Sequence, residues 1–252
     1  MKRAPQRILL GALILMAFSL LGCQTVEDKM KAKPSTGAGF ISMDEMQHRA
    51  DLPFNKVWVK AGTDWNVYRT IYIKEVNTQY LLQANWWQQG MRKNDYERDV
   101  QTVAQYMRDE FIKAFRQDPN RRYQVLQSPA PGSITLDLAL TELVPSKPFL
   151  EALALAAPYG SGVAVEATAR QTGAVGTAAF EARVVDSSSG TIIAMAADRE
   201  QAQVAPLNLR AFTWYEVAHK IIDDWATQFV EIANKRPGQV IKDTSPFTLM
   251  PW

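Results

Sequence analysis

The sequence predicts an α+β domain in which two main helices pack on one mixed, mostly antiparallel sheet. Two segments place apolar side chains at helical spacing, several short segments alternate apolar and polar residues, and two of these are joined by a hairpin turn. In chain order the elements are strand, helix, strands, hairpin and helix. This order favours helices packed on a mixed sheet within a single domain.

The first strand is expected over Val67–Val76, where Val67, Ile71 and Ile73 share one face. Upstream of it, the apolar run Val57–Val59 is a candidate for a short edge strand.

The clearest helix lies between Asp95 and Asp118. Its apolar stripe follows the i, i+3, i+4, i+7 spacing and consists of Val100, Val103, Ala104, Met107, Phe111, Ala114 and Phe115. A second helix precedes Pro237-Gly238, and Thr213 with Glu216 fits a capping box at its start. Its stripe consists of Trp214, Val217, Ala218, Ile221, Ile222, Trp225, Phe229, Ile232 and Ala233.

Four further strands are predicted between and after these elements. Tyr123–Leu126 is short, and Ile134–Thr141 alternates large apolar residues with mostly polar ones, which predicts one buried and one wetter face. Thr177–Asp186 and Thr191–Asp198 form a hairpin whose turn, Ser187–Gly190, ends on a glycine that supplies a positive φ.

Residues 1–22 have the three zones of a secretory signal peptide. Lys2, Arg3 and Arg7 form a positively charged start, and Ile8–Leu20 is almost wholly apolar. A membrane-spanning helix needs about 20 apolar residues, and polar residues follow this shorter run almost at once. The segment is therefore interpreted as a signal peptide and not as an anchor helix.

The cleavage site, Leu20-Leu21-Gly22-Cys23, resembles the lipobox of bacterial lipoproteins. The resemblance implies that the thiol of Cys23 receives diacylglycerol, that the chain is cut before this residue, and that the new amine is acylated. Two or more acyl chains anchor a protein stably in a membrane. The residue after the cysteine is Gln24 and not aspartate. By the sorting rule of lipoproteins in Gram-negative envelopes, which the resemblance brings with it, this favours the outer membrane, with the domain facing the periplasm. An ordinary secreted protein with an incidental cysteine is the alternative.

The polar segment 23–39 has no apolar period and is expected to be a flexible tether, which leaves residues 40–252 for the single domain. Cys23 is the one cysteine of the chain, so the domain is expected to fold without a disulfide. Cleavage removes three positive charges and changes the formal charge from +2 to −1. No net-charge argument for a nucleic-acid partner remains, and none is expected.

Few residues form patterns that carry chemistry. His48 and His219 are the two histidines, and they give no zinc-ligand spacing, so neither a metal nor a cofactor is expected. There is no Gly-x-Ser-x-Gly motif, and no residue is assigned as catalytic. Asp137 and Glu181 on strands and the pair Asp223-Asp224 are the carboxylates considered for acid–base chemistry, with structural and solvated roles as the alternative.

The candidate binding patch is the aromatic group Tyr80, Trp86 and Trp87. Two adjacent tryptophans in a polar connection cannot easily both reach one core, and aromatic side chains are enriched at recognition sites. The alternative is that these side chains cover the core between helix and sheet. The segment 145–176, rich in small residues, is a second candidate for partner binding.

Several segments together resemble the bacterial lipoproteins of domain of unknown function 3313. These segments are Gly39-Phe40-Ile41, Leu52-Pro53-Phe54, Trp58, Asp64–Tyr68, Ile71–Asn77, Asp186–Thr191 and Asp198-Arg199. The resemblance covers residues 39–235, and the chain departs from the family pattern at Glu75, where the family has a proline. It implies an envelope lipoprotein, and it brings neither an established activity nor catalytic residues to this chain.

Three functional hypotheses follow. The first is a non-enzymatic, lipid-anchored envelope protein that docks a protein partner or assembles with itself. The second is a binding module for a small envelope ligand, a glycan or lipid fragment, which requires a concave apolar pocket with a few polar groups. The third is a hydrolase of envelope material, which requires carboxylates or a nucleophile converging in a cleft.

Overall fold

The computed structural model describes residues 34–81, 93–144, 176–201 and 215–243. The elements in chain order are β1 (Lys56–Val59), a 3-10 helix (Trp65–Val67), β2 (Thr70–Ile73), α1 (Lys93–Gln117), β3 (Gln124–Leu126), β4 (Ile134–Val144), β5 (Thr177–Asp186), β6 (Ile192–Gln201) and α2 (Glu216–Ala233). The two helices and the strands form an α+β domain, which confirms the predicted fold class.

Within the described residues, six strands form one mixed sheet in the order β1-β6-β5-β4-β2-β3. Neighbours from β1 to β4 are antiparallel, whereas β2 is parallel to both β3 and β4. The predicted hairpin is confirmed, because β5 pairs with β6 and Gly190 in the turn has a φ of +70°. The sheet is therefore mixed and mostly antiparallel, as predicted.

Both helices pack on the same face of the sheet and on each other. The predicted stripe of α1 faces inward, and all of its members are buried except Ala114, which packs against the edge of the core. Phe111 of α1 meets Phe229 of α2 with ring centroids 5.1 Å apart. Trp225 of α2 is fully buried and stands edge-on against Phe180 of β5, with centroids 4.7 Å apart.

Two expectations about the ends of elements are wrong. Val67, predicted inside the first strand, lies in the 3-10 helix and is 62% exposed. The cause is local, because the side chain of Asp64 accepts a backbone N–H of this turn at 2.9 Å. The second helix begins at Glu216 with Tyr215 in the cap position and no side-chain capping bond, so it does not start at the capping box expected from Thr213, which lies outside the described residues.

The face of the sheet opposite the helices, here called the outer face, differs from the wetter surface expected for β4. Thr135 and Asp137, which point to it, are both buried. A second hydrophobic cluster covers part of this face, where the segment before β1 packs on β6. It consists of Ile41, Met46, Met195 and Ala197. The residues before β1 therefore cover part of the outer face, which the alternation of apolar and polar residues within β4 does not predict.

All described residues belong to one compact unit. Within the described ranges, neither helix combines the length and the apolarity that crossing a bilayer requires.

Candidate functional site

A cavity of about 380 Å³ lies between the sheet and the C-terminal ends of the two helices. Its apolar walls come from many elements, and among them are Phe54, Leu136, Ala182, Phe115 and Phe229. The cavity is thus a product of tertiary packing and not of any one motif. Its volume lies at the lower end of the range of about 300–1,000 Å³ that small-molecule sites occupy.

The charged side chains that line the cavity are all basic, namely Arg49, Arg122 and Lys235, and the end of the cavity that they line is here called its mouth. Asn66, Trp65 and Tyr123 contribute neutral polar groups to the lining. The side chain of Arg49 is 46% exposed, which places this end of the cavity at the surface. Among the described residues the lining contains no carboxylate, so the arrangement suits binding better than acid–base chemistry.

Arg122 is held firmly at this mouth. Its guanidinium donates to the backbone carbonyl of Trp65 at 2.6 Å and to that of Tyr68 at 3.0 Å. The guanidinium carbon also lies 4.5 Å from the centroid of the Tyr123 ring. These partners are neutral, so the positive charge is fixed in place and not cancelled.

Asp51 connects the other two cations of the mouth. Arg49 donates to both of its carboxylate oxygens, at 2.9 and 2.7 Å, and Lys235 donates to one of them at 2.9 Å. The hydrogen bonds from Arg49 and then from Lys235 hold the pKa of Asp51 well below its usual range. Its backbone carbonyl accepts the N–H of Ile241 at 3.1 Å. A second carboxylate, Asp118, accepts the backbone N–H of Arg122 at 2.9 Å. The mouth therefore combines three cations with two neighbouring carboxylates.

A second arrangement lies on the outer face, where residues 37–41, here named the strap, cross β5. Glu181 of β5 is fully buried, and its carboxylate accepts the backbone N–H groups of Ala38, of Phe40 at 2.9 Å and of Ile41 at 3.0 Å. Several N–H groups converging on one carboxylate compensate a buried negative charge without a cation. A single side chain, 140 residues beyond Ile41 in the sequence, thus fixes the strap to the sheet.

Two glycines give the strap its path. Gly37 and Gly39 have φ values of +96° and +94°, which side-chain-bearing residues rarely adopt. A Cβ atom on Gly37 would lie 2.8 Å from Cγ of Met43, whereas a Cβ atom on Gly39 would meet nothing within 4 Å. Both positions therefore favour glycine for backbone conformation, and Gly37 favours it for space as well.

Tyr80, the first residue of the predicted aromatic patch, packs beside the strap. It is half-buried, and its ring meets that of Phe40 edge-on with centroids 6.0 Å apart. The guanidinium carbon of Arg183 lies 4.4 Å from the Phe40 centroid. Trp86 and Trp87 lie outside the described residues, so a patch formed by all three stays a prediction.

Two other predicted sites also fall where the structure describes nothing. Cys23 and residues 145–175 lie outside the described ranges, and of the second candidate segment Gly176 alone is described.

The strand carboxylates considered for acid–base chemistry have structural partners. Asp137 of β4 forms ion pairs with Lys74 and with Arg183, each with an N–O distance of 2.9 Å. Glu181 holds the strap. Both side chains lie on the outer face, away from the cavity, so they do not converge on a cleft with a nucleophile.

The polar residues of α2 are likewise engaged. Asp223 accepts a hydrogen bond of 2.7 Å from the hydroxyl group of Tyr106, and Asp224 forms an ion pair with Lys220, four residues before it. His219 stacks on Tyr106 with ring centroids 3.9 Å apart, and within the described part of the chain its Nε2 has no hydrogen-bond partner. The contacts of Tyr106 with Asp223 and His219 join the two helices.

Asp198 is a buried carboxyl group that the sequence did not single out as a candidate. It is 1% exposed, and it accepts the backbone N–H of Asn55 at 3.0 Å and the indole N–H of Trp225 at 2.9 Å. Burial raises the pKa of Asp198 to about 7, and these two donors oppose that rise. The available signal was an acidic residue at an inward-facing position of a strand.

The basic residues of the mouth were also missed. Arg122 follows the end of α1 by five residues and Lys235 follows the end of α2 by two. A basic residue just after each of two helices is a weak pattern, because cations at helix C-termini usually only offset the helix dipole. Within the described ranges, no group of three or more histidine, cysteine, aspartate or glutamate side chains is placed to hold a metal ion.

Comparison with solved structures finds the dodecamer of PelC from Paraburkholderia phytofirmans. Two crystal forms, one of a PelC variant, match with 9% sequence identity and TM-scores of 0.34 and 0.35. The match covers 68% of this chain in both cases, and 96% and 94% of the PelC chains. A likeness at this level carries no argument about this chain. No curated protein matches the sequence.

Comparison with protein families gives a match over most of the described domain. The family is described as "Protein of unknown function (DUF3313)", and the match spans residues 37–229. It begins at the first residue of the strap and ends within α2. The match covers well over half of the chain, and the chain belongs to the DUF3313 family.

Proposed function

We propose that the chain is a lipid-anchored lipoprotein of the bacterial cell envelope, and that its domain is a non-enzymatic module that docks a protein partner or assembles with itself. Lipid on Cys23 holds it in the outer membrane, and the domain faces the periplasm. The observation that carries this proposal is the strap. Glu181 binds three N–H groups at the junction of the expected tether and the domain, those of Ala38, Phe40 and Ile41, and a domain displayed on a tether needs such a firm attachment point.

The non-enzymatic part of the proposal is supported by what the acidic side chains do. Asp137 pairs with two cations, Glu181 holds backbone N–H groups, and Asp186 accepts the hydroxyl proton of Tyr68 at 2.6 Å. A hydrolase needs acids or a nucleophile that converge in a cleft. These three carboxylates lie on the outer face and at a turn, where each stabilises the fold.

A second candidate function is the binding of a small envelope ligand, and the cavity favours it. The cavity has apolar walls, a volume of about 380 Å³ and a few polar side chains at one end. These are the features expected of a site for a small ligand. Phe115, near the C-terminal end of α1, is among the residues that line it.

The anchor is tested by the intact mass and membrane flotation of the full chain beside Cys23→Ala. We expect acyl mass on the native protein and flotation with the outer membrane, and neither in the variant. Thr36→Ala, a small polar change in the same polar segment, is the control and should behave as the native protein does. Native protein that is unmodified and soluble would remove the lipoprotein proposal.

Partner docking is tested by photo-cross-linking in intact cells. A photoreactive residue replaces Trp86, and in a control it replaces Lys113, whose side chain is 56% exposed on α1. The proposal predicts a discrete adduct, with a partner or a second copy, from position 86 and not from position 113. A monomeric mass by light scattering together with no adduct from position 86 would contradict it.

A further inference from the structure

We propose that the cavity binds a single-chain amphiphile with an anionic head group, its apolar chain inside and its head at the mouth. This inference rests on the second candidate function and names the chemical class of the ligand. It is argued from the size of the cavity, from the charge of its mouth and from the rigidity of one cation there.

The apolar chain is indicated by the walls. Three of the wall residues are only 1% exposed, namely Phe54, Leu136 and Ala182, yet they border a cavity of about 380 Å³. Engineered apolar cavities of about 150 Å³ stay dry and take up benzene. A cavity more than twice that size, lined mostly by apolar side chains, favours hydrocarbon over a sugar, because most of a sugar's buried hydroxyl groups would lack partners.

The anionic head is indicated by the mouth. Arg49, Arg122 and Lys235 line this end. Two carboxylates lie beside them: Asp51 accepts hydrogen bonds from the side chains of Arg49 and Lys235, and Asp118 accepts the backbone N–H of Arg122. Positive charge therefore exceeds negative charge where the cavity opens. A carboxylate, sulfate or phosphate head placed there would gain charge-assisted hydrogen bonds.

Arg122 is the residue best prepared to bind such a head. Its bonds to the carbonyls of Trp65 and Tyr68 use two of the five N–H donors that a guanidinium carries. Because these bonds and the ring of Tyr123 already fix the side chain, little conformational entropy is lost when a ligand binds.

A purely structural role for these cations is the competing explanation. Both helices end close to the mouth, and each C-terminus carries roughly half a negative charge that a cation stabilises. In that case, neutralising Arg122 would lower stability without changing ligand affinity. The experiment therefore measures affinity and stability on the same variants.

The probes are decanoate, decan-1-ol and decyltrimethylammonium, which share a chain length and differ in head charge. Binding to the full chain carrying Cys23→Ala is measured by equilibrium dialysis below micellar concentrations, so that no lipid on the protein competes. We expect decanoate to bind at least about tenfold more tightly than decan-1-ol, the difference a charge-assisted hydrogen bond provides, and the cationic probe to bind most weakly.

The variants Arg122→Gln and Arg121→Gln form a matched pair. Both remove one positive charge from adjacent positions, but only Arg122 lines the cavity. We expect the first to weaken decanoate binding about tenfold and leave decan-1-ol unchanged, and the second to change neither. Lys235→Met, which keeps the apolar stem, should act in the same direction if Arg122→Gln proves too unstable to measure.

Ala233→Phe tests the location. This half-buried residue at the end of α2 lines the cavity, and a phenyl group there would reduce the space available to a ligand. All three probes should therefore lose affinity while the urea midpoint stays near that of the parent.

Three results would overturn the inference, and they separate it from the proposed function. Equal affinity for decanoate and decan-1-ol, with no effect of Arg122→Gln, would reject the anionic head but keep small-ligand binding. No binding of any probe to folded protein would reject both. Decanoate binding that appears only when residues 244–252 are deleted would assign the cavity to the chain's own apolar tail, Pro246-Phe247-Thr248-Leu249-Met250, and not to an amphiphile.

Discussion

The substitution Glu181→Gln tests how strongly one buried carboxylate holds the strap. Glu181 accepts three backbone N–H bonds through two oxygens: one oxygen serves Phe40 and Ile41, and the other serves Ala38. A glutamine keeps one carbonyl oxygen, so it can serve the first pair, but its amide then faces the N–H of Ala38 with a second donor. One charge-assisted bond is lost and two are weakened.

The size of the effect follows from these changes. A hydrogen bond to a charged group contributes about 1.5–3 kcal/mol, and a buried donor left unpaired costs about 1–3 kcal/mol. We therefore expect the free energy of opening the strap to fall by about 2–4 kcal/mol. This corresponds to an increase of about 30- to 700-fold in the equilibrium constant for opening. Domains of this kind are stable by about 5–15 kcal/mol, so the variant should remain folded.

Hydrogen exchange followed by mass spectrometry measures this opening directly. The peptide that contains the strap should exchange faster by the stated factor, while the turn at Ser188 and Ser189, whose N–H groups are bound by Asp186, should not change. Glu142→Gln is the matched control, since it also neutralises a glutamate of the sheet that pairs elsewhere, with Arg199. Wild-type exchange of the strap in Glu181→Gln would refute the reasoning.

The remaining predictions concern the strap glycines and the buried carboxyl group. Both Gly37→Ala and Gly39→Ala should lower the free energy of unfolding by about 1 kcal/mol, because alanine is strained at a positive φ. Gly37→Ala should cost roughly a further 1–2 kcal/mol, because its Cβ would contact Met43. Urea unfolding midpoints compare the two variants, and equal losses would contradict the steric argument. Because Asp198 has its pKa raised from 3.8 to about 7, the folded state binds the proton more tightly than the unfolded state. The stability that protonated Asp198 contributes is complete below pH 4 and is lost as the pH rises through 7. The free energy of unfolding should therefore fall by roughly 2–3 kcal/mol between pH 5 and 8. Asp198→Asn should remove that slope in urea unfolding at the two pH values, and an unchanged slope would show that another group causes it. Trp225→Phe should lower the free energy of unfolding by about 2 kcal/mol, since it removes buried indole surface and one hydrogen bond to Asp198. A urea midpoint within error of the native value would be inconsistent with the packing described.

The elements that the sequence predicts well depend on local periodicity. The stripe of α1 from Val100 to Phe115 and the hairpin around Gly190 both match the structure, because a repeated side-chain spacing or a turn residue reports directly on backbone geometry. Val67 shows the limit of that reasoning. Its apolar character continues the pattern of β2, but the capping side chain of Asp64 ends the strand pattern there.

The features that the sequence does not predict depend on residues far apart in the chain. Alternation in β4 predicts a wetter face, and the strap that helps to cover this side of the sheet is bound through Glu181, at separations of 140 to 143 residues. The cavity is likewise assembled from residues of both helices, the 3-10 helix and five of the described strands. Neither Arg122 nor Lys235 therefore has a local signal that distinguishes it from an ordinary cation near a helix end.

The position of the strap also determines how the domain responds to mechanical force. If lipid on Cys23 anchors the chain, a pull between membrane and domain reaches the strap before it reaches β1. Because β1 is an edge strand that pairs through four residues with β6, it would unzip easily under direct load. The strap instead passes the load through Glu181 to β5, which is paired on both sides, so the three bonds to the carboxylate must break before the edge of the sheet is strained.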